Sequence, residues 1–239
     1  MNRHVTLPAL LAAAGLCTAP RVSGQQRTLE PDRLEVFNRT ASSLHDGARA
    51  GVHLSEGAGE GPAYVRQIEL GNGTIELDIR GKDVQGQSFV GVAFHGVDDT
   101  TYDAVYLRPF NFKTDDPVRH KHAVQYVSHP TYPWQKLRAE HPGEYEQPVT
   151  PAPDPNAWFH VRVVVASPKV SVFVADATEP SLVVSQLSHR AKGRVGLWVG
   201  NGSDGDFANL ILTPCPPLPS GEGARSSGLP SPCASMHGP

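Results

Sequence analysis

The sequence predicts an all-β domain folded as a two-sheet antiparallel sandwich. Three observations predict it. Short runs of residues alternate apolar and polar with a period of two, turn residues bound those runs, and no stretch shows helical periodicity over an ordinary helix length. Many short strands without helices pack as a sandwich or a barrel, and the barrel is the competing architecture. No repeat of fixed period runs through the chain, which argues against a propeller.

Residues 1–24 read as a secretory signal: a polar start with Arg3 and His4, an apolar run rich in Leu and Ala, then Val22, Ser23 and Gly24 at a cleavage-like position. The run is shorter than the roughly 20 apolar residues that span a bilayer, and no later segment qualifies. Weak strand patterns cover 34–38 and 51–54. The run 63–70 ends in Gly71-Asn72-Gly73, a hairpin turn. In 74–80 the alternation is clearest, with Ile75, Leu77 and Ile79 opposite Thr74, Glu76, Asp78 and Arg80. Strands follow at 89–95, 102–110, 123–128, 158–166, 170–175, 182–186, 194–199 and 207–213, separated by turns rich in Gly, Asp, Asn and Pro. Only 134–140 could wind into about two helical turns. It lies in a long connection, 129–157, whose Pro, Tyr, Trp and His content is unlike that of a disordered linker. The expectation is an ordered loop over one edge or face. Residues 214–239 are Pro, Ser and Gly with little to bury, and are expected to be a disordered tail. One domain therefore spans 27–213.

The formal charge is −3, and −5 without the signal, with no basic stripe to suggest a nucleic-acid partner. The three cysteines, Cys17, Cys215 and Cys233, all lie outside the domain. A Cys215–Cys233 disulfide would close a loop in the tail, consistent with export to a secreted or periplasmic location.

The strands 74–80 and Phe89-Val90-Gly91-Val92-Ala93-Phe94 carry a resemblance, as does the closing Gly193-Arg194-Val195-Gly196-Leu197-Trp198-Val199-Gly200 followed by Gly205-Asp206-Phe207-Ala208-Asn209-Leu210. They resemble the concanavalin A-like lectin/glucanase superfamily. Within it the likeness is closest to the 3-keto-disaccharide hydrolase domain family, and looser to laminin G-like sandwiches. The resemblance covers most of 34–213. It implies a jelly roll of two antiparallel sheets with sugars met on the concave sheet or its rim, but one fold hosts many functions.

Five groups of residues could carry chemistry. Glu76 and Asp78 share a strand face about 6.6 Å apart, close to the roughly 5–5.5 Å between the carboxyls of retaining glycosidases. The related family-16 glucanases resemble this row with Glu-x-Asp-x-x-Glu, yet Gly81 stands where the third acid would be. A solvated face of cross-strand charge pairs explains the same residues. Tyr106 and Arg108, on one parity, with Asn111 beyond, suit a sugar surface through stacking and forked hydrogen bonds, or sandwich packing. His120, His122 and His129 cluster with Gln125, as a polar binding lining or, with His95, as metal ligands. In the long loop Tyr132, Trp134 and Tyr145 are stacking platforms or plugs, and Glu140 or Glu144 could serve as an acid, Glu140 pairing with Asp103. Asn201, Asp204 and Asp206 crowd oxygen donors into a Gly-rich turn that could take calcium as a cofactor, or be an ordinary turn.

These residues point to a secreted carbohydrate-binding jelly-roll protein with carbohydrate as its partner. The alternatives are a glycoside hydrolase acting on a di- or polysaccharide and a non-catalytic protein-interaction module of the cell envelope.

Overall fold

A computed structural model describes residues 24–215. The expected signal, apart from Gly24, and the expected tail beyond Cys215 lie outside the described residues. Cys215 is disulfide-bonded, and Cys233, its expected partner, is likewise outside them.

The strands in chain order are β1 (Gln25–Arg27), β2 (Leu34–Val36), β3 (Ala41–Asp46), β4 (Arg49–Leu54), β5 (Gly61–Leu70), β6 (Gly73–Arg80), β7 (Val90–Gly96) and β8 (Asp103–Leu107). Then come a single helical turn α1 (Pro117–His120), β9 (Val124–Ser128), helix α2 (Trp134–Glu140) and β10 (Glu146–Gln147). The chain closes with β11 (Phe159–Ala166), β12 (Lys169–Val174), β13 (Leu182–Ser185), β14 (Gly193–Val199) and β15 (Gly205–Pro214). They form two antiparallel sheets. One has seven strands in the order β10-β9-β8-β7-β14-β5-β2. The other has eight, in the order β13-β12-β11-β6-β15-β4-β3, with β1 added on β15. This is the jelly-roll sandwich that the alternation predicts, and the barrel is excluded by the two separate sheets.

The core is the layer between the sheets. Ile75, Leu77 and Ile79 from β6 are fully buried, as are Val161, Val163 and Val165 from β11. From the other sheet come Val90, Val92 and Phe94 of β7, Val105 and Leu107 of β8, and Val195, Leu197 and Val199 of β14. Residues of opposite parity on β6 (Glu76, Asp78, Arg80) stay partly exposed, as a strand with one wet face requires. The strand β3, which the sequence does not announce, reads Ala-Ser-Ser-Leu-His-Asp and lies at the sheet edge, so no strong apolar face is demanded of it. The expected strand 102–110 stops at Leu107. Pro109 lacks an N–H to continue the ladder, and Pro109–Asn111 turns as 3-10 helix.

Opposite parity on the seven-stranded sheet produces a second, outer layer. One cross-strand row there runs Glu146, Gln125, Tyr106, Gly91, Trp198, Pro62. The rings of Tyr106 and Trp198 flank Gly91 and meet with centroids 4.8 Å apart. A Cβ at Gly91 would stand 2.1 Å from the Val105 carbonyl oxygen and 2.9 Å from the Tyr106 Cβ, so this position admits no side chain without moving the backbone.

Gly91→Ala should therefore lower stability in urea unfolding by about 1–3 kcal/mol, the range for overpacking. A neutral substitution would show that β7 and β8 can separate at low energy.

Candidate functional site

Over this outer layer lies a cavity of about 320 Å³, at the lower end of the roughly 300–1,000 Å³ of ligand pockets. Its floor is Tyr106 of β8, Val127 of β9 and Trp198 of β14. The turn after β8 supplies Arg108, Phe110 and Asn111, and α1 with the turn after it supplies Arg119 and His122. On the other side stand Glu60, Gln85, Phe89, His129 and Asn201, and α2 contributes Trp134 and Arg138, one helical turn apart and so on one face.

The polar groups beneath the floor are tightly ordered. Arg108, 5 % exposed, donates through Nη1 to the His122 carbonyl (2.8 Å) and through Nη2 to the Tyr106 hydroxyl (2.8 Å) and Gln125 Oε1 (2.5 Å). The Tyr106 hydroxyl in turn donates to Gln125 Oε1 at 3.0 Å. Burial pushes the Tyr106 phenol up to about 12, so it stays a neutral donor. The Arg108 guanidinium also lies over the Tyr106 ring, 4.8 Å from its centroid. Glu146, buried, binds Arg138 through both oxygens (2.9 and 2.7 Å) and approaches His122 Nδ1 at 2.8 Å. Desolvation lowers the pKa of His122 and His129 against the pull of Glu146 and Glu60. Across the cavity the Trp198 indole N–H donates to the Tyr102 hydroxyl, which donates to Glu60; His129 Nε2 is 3.3 Å from the same carboxylate.

Of the residues expected to bind a ligand, Tyr106, Arg108, Asn111, His122, His129 and Trp134 line this one cavity. Gln125 lies beneath it, fully buried. Tyr132 does not line it; its ring carries the Lys136 ammonium at 4.9 Å. Tyr145 is a plug, packed on Tyr126 and His141. Sequence reasoning missed Trp198, Glu60, Phe89 and Arg119 as lining residues. Trp198 had a readable signal, since it shares parity with Gly196 and Gly200 rather than with the core residues Val195, Leu197 and Val199. Glu60 had none.

Neither expected acid pair lines the cavity. Asp103 faces inward and is fully buried, bound by Tyr126, Ser188 and Arg190 with His95 3.4 Å away. Glu140 is exposed on α2, 4.0 Å from Lys136, and lines no part of the cavity. Glu76 and Asp78 lie on the outer face of the eight-stranded sheet, both against His160 (3.5 and 3.0 Å), with Arg49 and Asn209 on Asp78. The oxygen donors of the last turn also have other partners. Asp204 pairs with Lys82, Asp206 with Arg80 and His53, and Asn201 accepts from the Gly59 N–H. His120 and His122 are not on a strand, so they do not share a face as an i, i+2 pair; His95 is buried in the core layer. Among the described residues no group of three or more His, Cys, Asp or Glu is placed to hold a metal ion.

No family model matches the chain, the 3-keto-disaccharide hydrolase domain included, and no curated protein matches it. Solved structures do. The carbohydrate-binding module CBM66 from Bacillus subtilis is similar with a TM-score of 0.54 at 16% identity, covering 76% of this chain and 95% of the module. The exoplasmic/lumenal domain of VIP36, in its Ca2+/Man3GlcNAc-bound form, is similar with a TM-score of 0.52 at 12% identity, covering 82% and 93%. A Bacillus subtilis protein with a galectin-like fold gives 0.51 at 11% identity, covering 77% and 90%. The fold is the antiparallel jelly-roll sandwich shared by these lectin-like structures.

Glu146→Ala leaves the Arg138 guanidinium without its partner beside a buried Arg108. It should destabilise the protein by about 1–3 kcal/mol in urea unfolding, less than a fully buried pair because Arg138 is partly exposed. On the opposite sheet, the Glu76 and Asp78 bonds raise the His160 pKa against burial. The His160 bond lowers Glu76, and bonds from His160, Asn209 and Arg49 outweigh the upward push of burial to lower Asp78. A raised histidine stabilises below its unfolded value, about 6.5, and that stability is lost as pH rises through the folded value. Lowered carboxylates stabilise above about 4 and lose that as pH falls. The stability difference between wild type and His160→Gln should therefore peak between about pH 5 and 6, at about 0.5–1 kcal/mol for so exposed a trio, and vanish at alkaline pH. A pH-independent difference would contradict the assignment.

Proposed function

We propose that the protein binds carbohydrate in the cavity over the seven-stranded sheet. The observation that carries the reading is the floor itself: two aromatic rings at 4.8 Å, bordered by fixed donors and acceptors from Arg108, Asn111, Arg119, Glu60 and Asn201. Pyranose rings present C–H-rich faces to aromatic surfaces and hydroxyls at their edges, which is what an aromatic floor with a polar rim can hold. Trp134, 38 % exposed on α2, can close on the ligand from above. Similarity in fold to a carbohydrate-binding module and to a mannoside-bound domain supports the reading.

Binding is favoured over hydrolysis because the cavity is lined by one carboxylate, Glu60, already engaged by Tyr102 and His129, whereas glycoside cleavage ordinarily uses two. It is favoured over protein docking because the exposed large apolar side chains among the described residues, Val84, Val97, Val118, Trp134 and Val183, are single residues on different elements. Export is part of the proposal and rests on the residues 1–24. No helix among the described residues is long and apolar enough to cross a membrane.

Titration calorimetry of the protein against mono-, oligo- and polysaccharides should detect binding, and Trp134→Ala should weaken it about fivefold through loss of roughly 1 kcal/mol of stacking. Absence of binding to every saccharide at millimolar concentration would overturn the reading.

A further inference from the structure

Three arginines, Arg108, Arg119 and Arg138, meet two carboxylates at the cavity, Glu60 and Glu146, and the excess of positive charge falls on Arg108 and Arg119. Arg138 is neutralised by both oxygens of Glu146. Arg108 is not: its nearest carboxylate oxygen is that of Glu146 at 3.9 Å, and the same oxygen already serves Arg138 and His122. Arg119 makes no ion pair among the described residues; Nε donates to Asn111 Oδ1 (3.2 Å) and Nη2 to the Phe110 carbonyl (2.9 Å). The nearby Asp116 carboxyl is taken up by the Val118 and Arg119 backbone N–H groups of α1. The remaining lining carboxylate, Glu60, faces Tyr102 and His129. Glu60 is held by a phenol and an imidazole rather than by a guanidinium, and Asp116 acts on Arg119 only through space, so neither Arg108 nor Arg119 has a carboxylate hydrogen-bonded to it.

Their hydrogen-bonding capacity is also unfilled. A guanidinium carries five N–H donors. Arg108 donates three bonds to the protein and Arg119 two, so each retains N–H groups with no protein acceptor, and both side chains line the cavity. Arg108 is nearly as buried as the floor. Burying a cation without a counter-charge is unfavourable unless a ligand supplies it, and planar guanidinium forks match anionic oxygens in pairs. A neutral sugar would meet the aromatic floor and leave this charge uncompensated.

We infer that the cavity recognises a sugar ring bearing an acid group, a carboxylate or a sulfate ester, held by Arg108 and Arg119 while the ring stacks on Tyr106 and Trp198. The inference rests on the carbohydrate-binding reading and narrows it to acidic glycans.

The test is titration calorimetry of the full chain with uronic-acid oligosaccharides, the same oligosaccharides as methyl esters, sulfated oligosaccharides, and neutral gluco-, manno- and fructo-oligosaccharides, at low and high salt. The expected result is binding of uronate or sulfated ligands that weakens with salt. Esterification, or Arg119→Gln in the protein, should weaken binding to a carboxylate ligand at least about tenfold, the worth of a charged hydrogen-bond pair. Arg119 is partly exposed and its removal should leave the fold intact, with the unfolding midpoint as control. Which of the uronate and sulfate series binds identifies the acid group. Equal binding of acidic and neutral or esterified sugars overturns this inference and leaves carbohydrate binding standing. Acidic ligands that bind Arg119→Gln and Trp134→Ala as well as wild type are held by general charge attraction, which also overturns it. Binding of no saccharide removes the parent reading as well.

Discussion

The segment between β9 and β11 is tied to the sheet by the pairing of β10 with β9, and helix α2 within it is held by one buried carboxylate. Glu146 sits at the start of the row that crosses the outer face, paired in register with Gln125, and grips Arg138 of α2 through both oxygens. Leu137, buried between the two, packs the same helix down. With α2 held, Trp134 and Arg138 overhang the aromatic floor; without it the floor would be an open sheet face rather than a cavity. Two charges taken out of water are unfavourable individually, so the pair persists only because each satisfies the other and His122 lies against the same carboxylate.

The two sheets use charge differently. On the eight-stranded sheet, carboxylates and cations are matched nearly one to one: Glu76 and Asp78 on His160, Asp206 on Arg80 and His53, Asp46 on Arg80 and the Trp158 indole. Such a face is saturated and presents little unmet demand to a partner. The cavity on the other sheet is arranged around arginines that outnumber their acids. Matched charges on the outer strands keep that face soluble, and the unmatched ones gather where aromatic surface and depth could give a ligand its affinity. The buried Asp103 cluster is a third use. It bonds Ser188 and Arg190, in the turn before β14, to the start of β8, so the charge there secures a chain crossing and faces no solvent.

The alternation of Ile75, Leu77 and Ile79 with Glu76, Asp78 and Arg80 was enough to assign β6 and its buried face, and the seven-residue helix 134–140 was legible from a short run free of breakers. Tyr106, Arg108, Asn111, His122, His129 and Trp134 were legible as candidates because aromatic and forked polar residues stood off the core parity or in a loop too aromatic to be a linker. The location of the acids was not legible, for a physical reason. Spacing along a strand tells which residues share a face, not which face meets a cavity and which meets solvent. Asp103 was invisible as a core residue because nothing local shows that Tyr126, Ser188 and Arg190 converge on it from three other segments.

By itself, the sequence determined most strand positions, the polarity of the strongly alternating strands and the presence of an ordered aromatic loop, because period-two patterning and turn chemistry act over a few residues. Only the tertiary structure decided which faces stack, that Gly91 leaves room for Tyr106 and Trp198 to meet, that Glu146 anchors α2, and that Arg108 and Arg119 have no carboxylate hydrogen-bonded to them. Those are contacts between residues tens of positions apart, set by strand order and register, and no local pattern encodes them.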